Sequence, residues 1–134
     1  MSRNKFEESV RKLTEYYNQL PDWYWKRGLH DAQIVSVSES RLTPNYKEKN
    51  PKYNCLEIKL DSEGALYETD IKKICLYNYK IRTQIDISKK IWWMSDTIQL
   101  LDNGKYLLEI EYVTIKEDHK QFVIEFEIPE IERS

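Results

Sequence analysis

The residues with the clearest chemical potential lie between the first predicted helix and the first predicted strand. This short stretch contains Trp23, Trp25, the basic pair Lys26-Arg27 and the dipeptide His30-Asp31. Exposed aromatic rings beside basic side chains can stack on a ligand or on a partner protein. A histidine beside a carboxylate can act as a general base, which predicts, as one alternative, a small enzyme with its site around His30-Asp31.

The surrounding sequence does not complete a catalytic or metal-binding motif. Neighbouring side chains on an extended chain point to opposite sides, so His30 and Asp31 are not expected to pair directly. No G-x-S-x-G motif is present, and no His–carboxylate–His spacing indicates a metal site. Cys55 and Cys75 form no C-x-x-C motif and are predicted to be reduced. We therefore assign no catalytic residue, metal or cofactor.

A second aromatic cluster, Trp92-Trp93-Met94, lies in the middle of the chain. In a strand, Trp92 and Met94 face one way and Trp93 faces the other. A large ring is then exposed wherever one face of the sheet is uncovered. Because tryptophan is enriched at interface hot spots, this cluster predicts, as a further alternative, a structural homodimer.

Acidic residues gather on the last two predicted strands. If these strands pair, Glu109, Glu111, Glu125 and Glu127 share the outer face of the sheet. Like charges on neighbouring cross-strand positions destabilise a sheet, so something should compensate them. Lysine or arginine side chains can do so, and Lys80, Arg82 and Lys105 are the candidates. The functional alternative is an acidic surface that receives a basic protein, at a rate that falls steeply with salt.

The composition is that of one folded domain. The chain has 134 residues, 40% of them hydrophobic and 33% charged, with a formal net charge of −2. This mixture is too hydrophobic for a disordered chain, and its charge balance shows no overall footprint for nucleic acid or anionic lipid. The apolar runs, such as Ile91–Met94, are far shorter than the ~20 residues that span a bilayer. The N-terminus lacks the apolar stretch of a secretory signal, so we predict a cytoplasmic protein with a single domain over residues 1–134.

The hydrophobic pattern changes from a helical to a strand period along the chain. In residues 1–20 the apolar positions share one helical face: Phe6, Val10, Leu13, Tyr17 and Leu20. Pro21 ends the predicted helix. Residues 32–128 alternate with a period of two and are predicted to form the sheet, with a clear strand over 79–88. Asp102-Asn103-Gly104 is a strong hairpin signal, and Pro129 is expected to stop the last strand.

These elements predict an α+β fold. The N-terminal amphipathic helix would pack on an antiparallel meander of about six strands. The alternative is a β-sandwich or a partly open barrel with an appended helix. In the segment 72–82 the aromatic rings and the basic side chains alternate onto opposite faces, which argues against RNA binding because base stacking needs exposed rings beside the charges.

The stretch Gly28-Leu29-His30-Asp31-Ala32-Gln33-Ile34, followed by Leu56–Asp61, resembles small uncharacterised proteins of Gram-positive bacteria. These proteins carry an L-H-D-x-x-I element before a β-meander, and some are placed near the immunity proteins of polymorphic toxin systems. The resemblance implies no catalytic residues. Together with the residues above, it favours a non-enzymatic, immunity-protein-like module that binds another protein, with a basic partner or a second copy of the chain as the expected occupants. The partner-binding candidates are Trp23, Trp25, His30, Trp92, Trp93, Glu109, Glu111, Glu125 and Glu127.

Overall fold

The computed structural model describes residues 7–8, 21, 24–25, 29–42, 53–65 and 69–133. These residues form eight β-strands, which in chain order are β1 (Gln33–Leu42), β2 (Tyr53–Asp61), β3 (Ile71–Tyr77), β4 (Lys80–Ile81), β5 (Ile91–Leu100), β6 (Tyr106–Thr114), β7 (His119–Phe126) and β8 (Ile128–Arg133). All pairings are antiparallel, and the strands form one sheet in the order β4-β7-β6-β5-β1-β2-β3-β8.

The two ends of this sheet are joined through the chain itself. β4 follows β3 after two residues, and β8 follows β7 after Glu127 alone. β3 pairs with β8 while β4 pairs with β7, and the Glu127 N–H donates to the Tyr77 carbonyl at 2.9 Å between the two ladders. On the other side, Gln33 of β1 pairs with Trp92 of β5. The strand pairs therefore form a ring, and the sheet closes on itself.

The main core lies inside this closed sheet because most inward positions of the long strands are apolar. Leu56 and Ile58 of β2 and Phe122 and Ile124 of β7 are at most 1% exposed. The remaining buried members come from all the long strands and from Tyr24, Trp25 and Leu29 before β1. Burial of such side chains contributes about 1.5–3 kcal/mol each, which makes the interior the main source of stability.

A bulge in β5 changes which side chains point into the interior. Trp93 pairs with Tyr112, whereas Ser95 pairs with Glu111, so Met94 is an extra residue in the ladder. Trp93 is fully buried, and after the bulge the alternation continues with Asp96 and the buried Ile98. The inward row of β5 thus contains one carboxylate.

The predicted fold class is wrong. The described residues form an all-β sheet of eight strands rather than an α+β meander of about six with a helix on one face. Glu7 and Glu8 have helical backbone, and no helical element occurs elsewhere in the described part of the chain. The rest of the predicted helix over 1–20 lies outside the described residues. The alternative prediction, a β-sandwich or a partly open barrel, also included that N-terminal helix.

Two predicted strand boundaries also need correction. The strand predicted over 79–88 is reduced to β4, because Asn78 has a left-handed φ of 52° and the ladder with β7 covers only two residues. Pro129 does not stop the last strand but lies within β8. β8 is hydrogen-bonded to β3 on one side only, so a proline without an N–H is tolerated there. The hairpin predicted at Asp102-Asn103-Gly104 joins β5 to β6.

Candidate functional site

The segment before β1 is fixed to β5 by backbone hydrogen bonds. The Asp31 N–H donates to the Trp93 carbonyl at 2.7 Å, and the Trp93 N–H donates to the Ala32 carbonyl at 2.8 Å. The His30 imidazole donates from Nδ1 to the Met94 carbonyl at 2.7 Å. These bonds place the predicted His30-Asp31 element beside Trp92 and Trp93, which lie about 60 residues further along the chain.

His30 and Asp31 lie closer together than the sequence predicts. His30 Nε2 is 3.5 Å from Asp31 Oδ1. The prediction assumed an extended backbone, whereas Asp31 has a left-handed φ of 68° and lies in a turn. Since Nδ1 carries a proton for the Met94 carbonyl, an ion pair with Asp31 requires an imidazolium protonated on both nitrogens.

Two of the predicted tryptophans form a buried cluster around Asp96. The indole N–H groups of Trp93 and Trp25 both donate to Asp96 Oδ2, at 2.7 and 3.1 Å. The two indole rings meet edge to face with centroids 5.5 Å apart, and the Tyr24 ring lies 4.6 Å from that of Trp25. Trp25 and Trp93 are 7% and 0% exposed, so these two rings belong to the interior.

The environment of Asp96 changes its acidity. Burial raises the pKa of Asp96 to about 7. The two indole N–H donors stabilise the ionised carboxylate and oppose that rise. Oδ1, the second carboxylate oxygen, accepts no hydrogen bond from the described residues. The cluster can therefore hold or release a proton near neutral pH, and it ties the segment before β1 to β5.

Three of the predicted glutamates lie on the outer face of β6 and β7 and Glu127 lies between β7 and β8, but the register separates them. Glu109 lies opposite Val123, Glu111 opposite Gln121 and Glu125 opposite Leu107, so no two of them oppose each other directly. Each also has a partner within the chain.

Three of these partners are neutral or titratable side chains, and one is a cation. Thr97 Oγ1 donates to Glu109 at 3.3 Å, Asn78 Nδ2 donates to Glu127 at 2.8 Å, and His119 Nδ1 lies 3.1 Å from Glu111. The Arg82 guanidinium is 2.6 Å from Glu125 and holds the pKa of that carboxyl below its usual range. Of these four carboxylates, Glu125 is therefore paired with a cation, and the other three are held by hydrogen bonds from neutral or titratable side chains.

The two cysteines are free thiols on the outer face of β2 and β3. Cys55 lies opposite Tyr77 and Cys75 opposite Glu57, so the two thiols are diagonal neighbours. A hydrogen bond from the Cys75 thiol holds the pKa of Cys55 below its ordinary value, while that pairing and burial raise the pKa of Cys75. Among the residues that the structure describes, no group of three or more His, Cys, Asp or Glu side chains could hold a metal ion.

An open groove of about 310 Å³ lies beside Trp92, at the point where β1 meets β5. Asp31, Asp61 and Glu63 line it together with the half-buried Trp92. Asp61 ends β2, and its Oδ1 accepts the Glu63 N–H at 2.9 Å, which holds the two acidic residues together in the turn. We call this feature the acidic groove.

The carboxylates of the acidic groove differ from that of Glu125 on β7. No lysine or arginine in the described ranges forms an ion pair with Asp31, Asp61 or Glu63, and the only ionisable partner is His30 beside Asp31. The groove therefore combines uncompensated negative charge with one side of an indole ring. Both features attract a lysine or arginine side chain.

The structure thus separates the predicted candidates. His30 and Trp92 lie at or beside the acidic groove, Trp25 and Trp93 lie in the interior, and Trp23 lies outside the described residues. Sequence reasoning missed Asp61, Glu63 and Asp96. The stretch Asp61-Ser62-Glu63-Gly64 has the composition of a turn and is the signal that could have indicated the first two. The bulge that turns Asp96 inward cannot be read from the alternation of the sequence.

No protein-family model matches the chain, and no curated protein or solved structure matches it. None of the helical residues in the described ranges belongs to a helix long and apolar enough to cross a membrane.

Proposed function

We propose that the chain is a non-enzymatic module that binds a basic segment of another protein in the acidic groove. The observation that carries the proposal is the contrast in charge compensation. Glu125 on the outer face has Arg82 as a partner, whereas Asp31, Asp61 and Glu63 surround Trp92 with no lysine or arginine partner in the described chain.

The groove geometry suits a lysine or arginine side chain. A guanidinium can stack on the indole of Trp92 while its N–H groups donate to carboxylate oxygens. The groove is open on one side, so a basic side chain of a folded partner can enter without local unfolding. The resemblance of the Leu29-His30-Asp31 element to proteins placed near toxin immunity proteins is in line with such a partner.

A labelled oligo-arginine peptide tests the groove directly by fluorescence anisotropy. The double variant Asp61→Asn/Glu63→Gln keeps the acceptor at Oδ1 of residue 61 and removes two charges from the groove. We expect it to bind the peptide about tenfold more weakly than the wild type, since close charge pairs across an interface contribute on the order of 1 kcal/mol or more.

The matched control is Glu109→Gln/Glu127→Gln, which removes the same charge from two residues that do not line the acidic groove. We expect it to bind like the wild type, and binding to the wild type should weaken steeply as salt is added. Equal weakening in both double variants would show that only net charge matters and would overturn the assignment of the groove.

A further inference from the structure

A second, partly enclosed recess lies at the end of β6 and the start of β7. It has a volume of about 60 Å³ and receives three lysines from three parts of the chain. Lys89 comes from the loop before β5, Lys116 from the turn between β6 and β7, and Lys120 from β7. We call it the lysine recess.

The three ammonium groups are not neutralised by ion pairs. Lys89, Lys116 and Lys120 are exposed, and none forms a salt bridge in the part of the chain that the structure describes. Asp86 and Asp118 also line the recess and leave it a formal charge of +1.

The carboxylate of Asp86 is already used within the loop. It accepts hydrogen bonds from the Ser88 N–H and hydroxyl at 2.9 and 2.7 Å. These bonds hold the pKa of Asp86 below its usual range, and the nearby Lys89 and Lys120 lower it further. Asp86 is therefore ionised, and its carboxylate is hydrogen-bonded in part within its own loop.

Tyr112 contributes a neutral donor to the recess. It lines the recess, is 2% exposed as a whole residue, and its hydroxyl makes no hydrogen bond with the described residues. A phenol hydroxyl in this position can donate a hydrogen bond to an anion that enters the recess.

Thr114 adds a second neutral donor to the recess. Its Oγ1 accepts the Asp118 N–H at 3.3 Å, which fixes the side chain and leaves the hydroxyl hydrogen available. The lining of the recess thus includes two residues with hydroxyl donors and three lysines with ammonium donors.

We propose that the lysine recess binds a small tetrahedral oxyanion of the phosphate or sulfate class. Such an ion accepts several hydrogen bonds at once from ammonium and hydroxyl donors. The recess is small, at about 60 Å³, which suits one polyatomic ion rather than an extended ligand. This site is separate from the acidic groove and does not depend on its function.

The test compares inorganic phosphate and sodium sulfate with sodium chloride at equal ionic strength, by calorimetric titration and by the melting temperature of the full chain. We expect phosphate and sulfate, but not chloride, to bind and to raise the melting temperature. Lys120→Gln should weaken phosphate binding about tenfold, as the loss of one charge-assisted hydrogen bond of roughly 1.4 kcal/mol does. Tyr112→Phe, which keeps the ring in the core, should weaken it by a few fold.

Two further variants keep the test decisive. Lys59→Gln removes one exposed lysine from the outer face of β2 and should leave phosphate binding unchanged. Asp86→Asn keeps an acceptor for Ser88 and should tighten phosphate binding, whereas a cation site would lose affinity. A phosphate effect no larger than that of chloride, or an equal loss in Lys59→Gln and Lys120→Gln, would overturn the proposal.

Discussion

Asp96 lies beside two indole rings inside the sheet, and its protonation is therefore coupled to folding. Its pKa is raised from 3.8 to about 7 by burial. Between these values the folded chain keeps a proton that the unfolded chain has lost. The free energy of unfolding therefore falls as the pH rises through this window, by at most about 4 kcal/mol.

Asp96→Asn keeps an oxygen acceptor for Trp25 and Trp93 and removes the titration. We expect the variant to lose no stability as the pH rises from about 4 to 7, and to exceed the wild type above that range. Urea denaturation followed by tryptophan fluorescence across this range measures the difference. Asp102→Asn, at an exposed turn position, should follow the wild type. A pH dependence of Asp96→Asn equal to that of the wild type would contradict the coupling.

At the scale of one element, β5 shows how far a sequence pattern reaches. Strict alternation from Ile91 predicts that Trp93, Ser95 and Thr97 share a face. The bulge at Met94 breaks this alternation and brings Asp96 and Ile98 to the side of Trp93. The existence of the strand and its hairpin follow from local residues. The bulge depends on the fit to β6 and to the segment before β1, which no local pattern contains.

The hairpin between β5 and β6 depends on a glycine in the left-handed region. Gly104 has a φ of 82°, and its N–H donates to the Leu101 carbonyl at 3.0 Å. A Cβ at this position would meet nothing within 4 Å, so Gly104→Ala carries only backbone strain. We expect a loss of about 1 kcal/mol in the free energy of unfolding.

Gly104→Asn is the matched variant, because asparagine tolerates the left-handed region better than alanine. It should lose less stability than Gly104→Ala in the same urea denaturation. If alanine were as stable as glycine, or if asparagine cost more than alanine, the hairpin would not depend on this backbone conformation.

For the whole molecule, closure of the sheet is the feature that the sequence could not show. Tyr77 pairs with Ile128, about 50 residues further along the chain, and Gln33 pairs with Trp92. Alternation identifies which residues face a core, but it carries no information on which distant strand is the neighbour. The predicted meander paired only strands that follow each other, and so it left the sheet open. Because the sheet closes, Asp96, the acidic groove and the lysine recess all lie where segments that are distant in the sequence meet.

One ion pair supports this closure. It joins Arg82, the residue after β4, to Glu125 of β7 at 2.6 Å, and Glu125 is 8% exposed. The Arg82 backbone N–H also donates to the Val123 carbonyl at 2.8 Å. Arg82→Gln keeps that backbone bond but leaves the Glu125 carboxylate without its cation. We expect it to destabilise the chain more than Arg82→Gln/Glu125→Gln does, because an unpaired carboxylate at a sheltered position is worse than none.

The pH dependence distinguishes this loss from a packing defect. The pKa of Glu125 lies below its usual value in the folded chain because Arg82 bonds to the carboxylate. The contribution of the pair is therefore present above the ordinary glutamate value of 4.5 and is lost as the pH falls through the lowered value. The deficit of Arg82→Gln should shrink in acid, while that of a packing defect would not. Lys80→Gln removes a neighbouring charge that forms no ion pair among the described residues, and it should change the free energy of unfolding little at either pH.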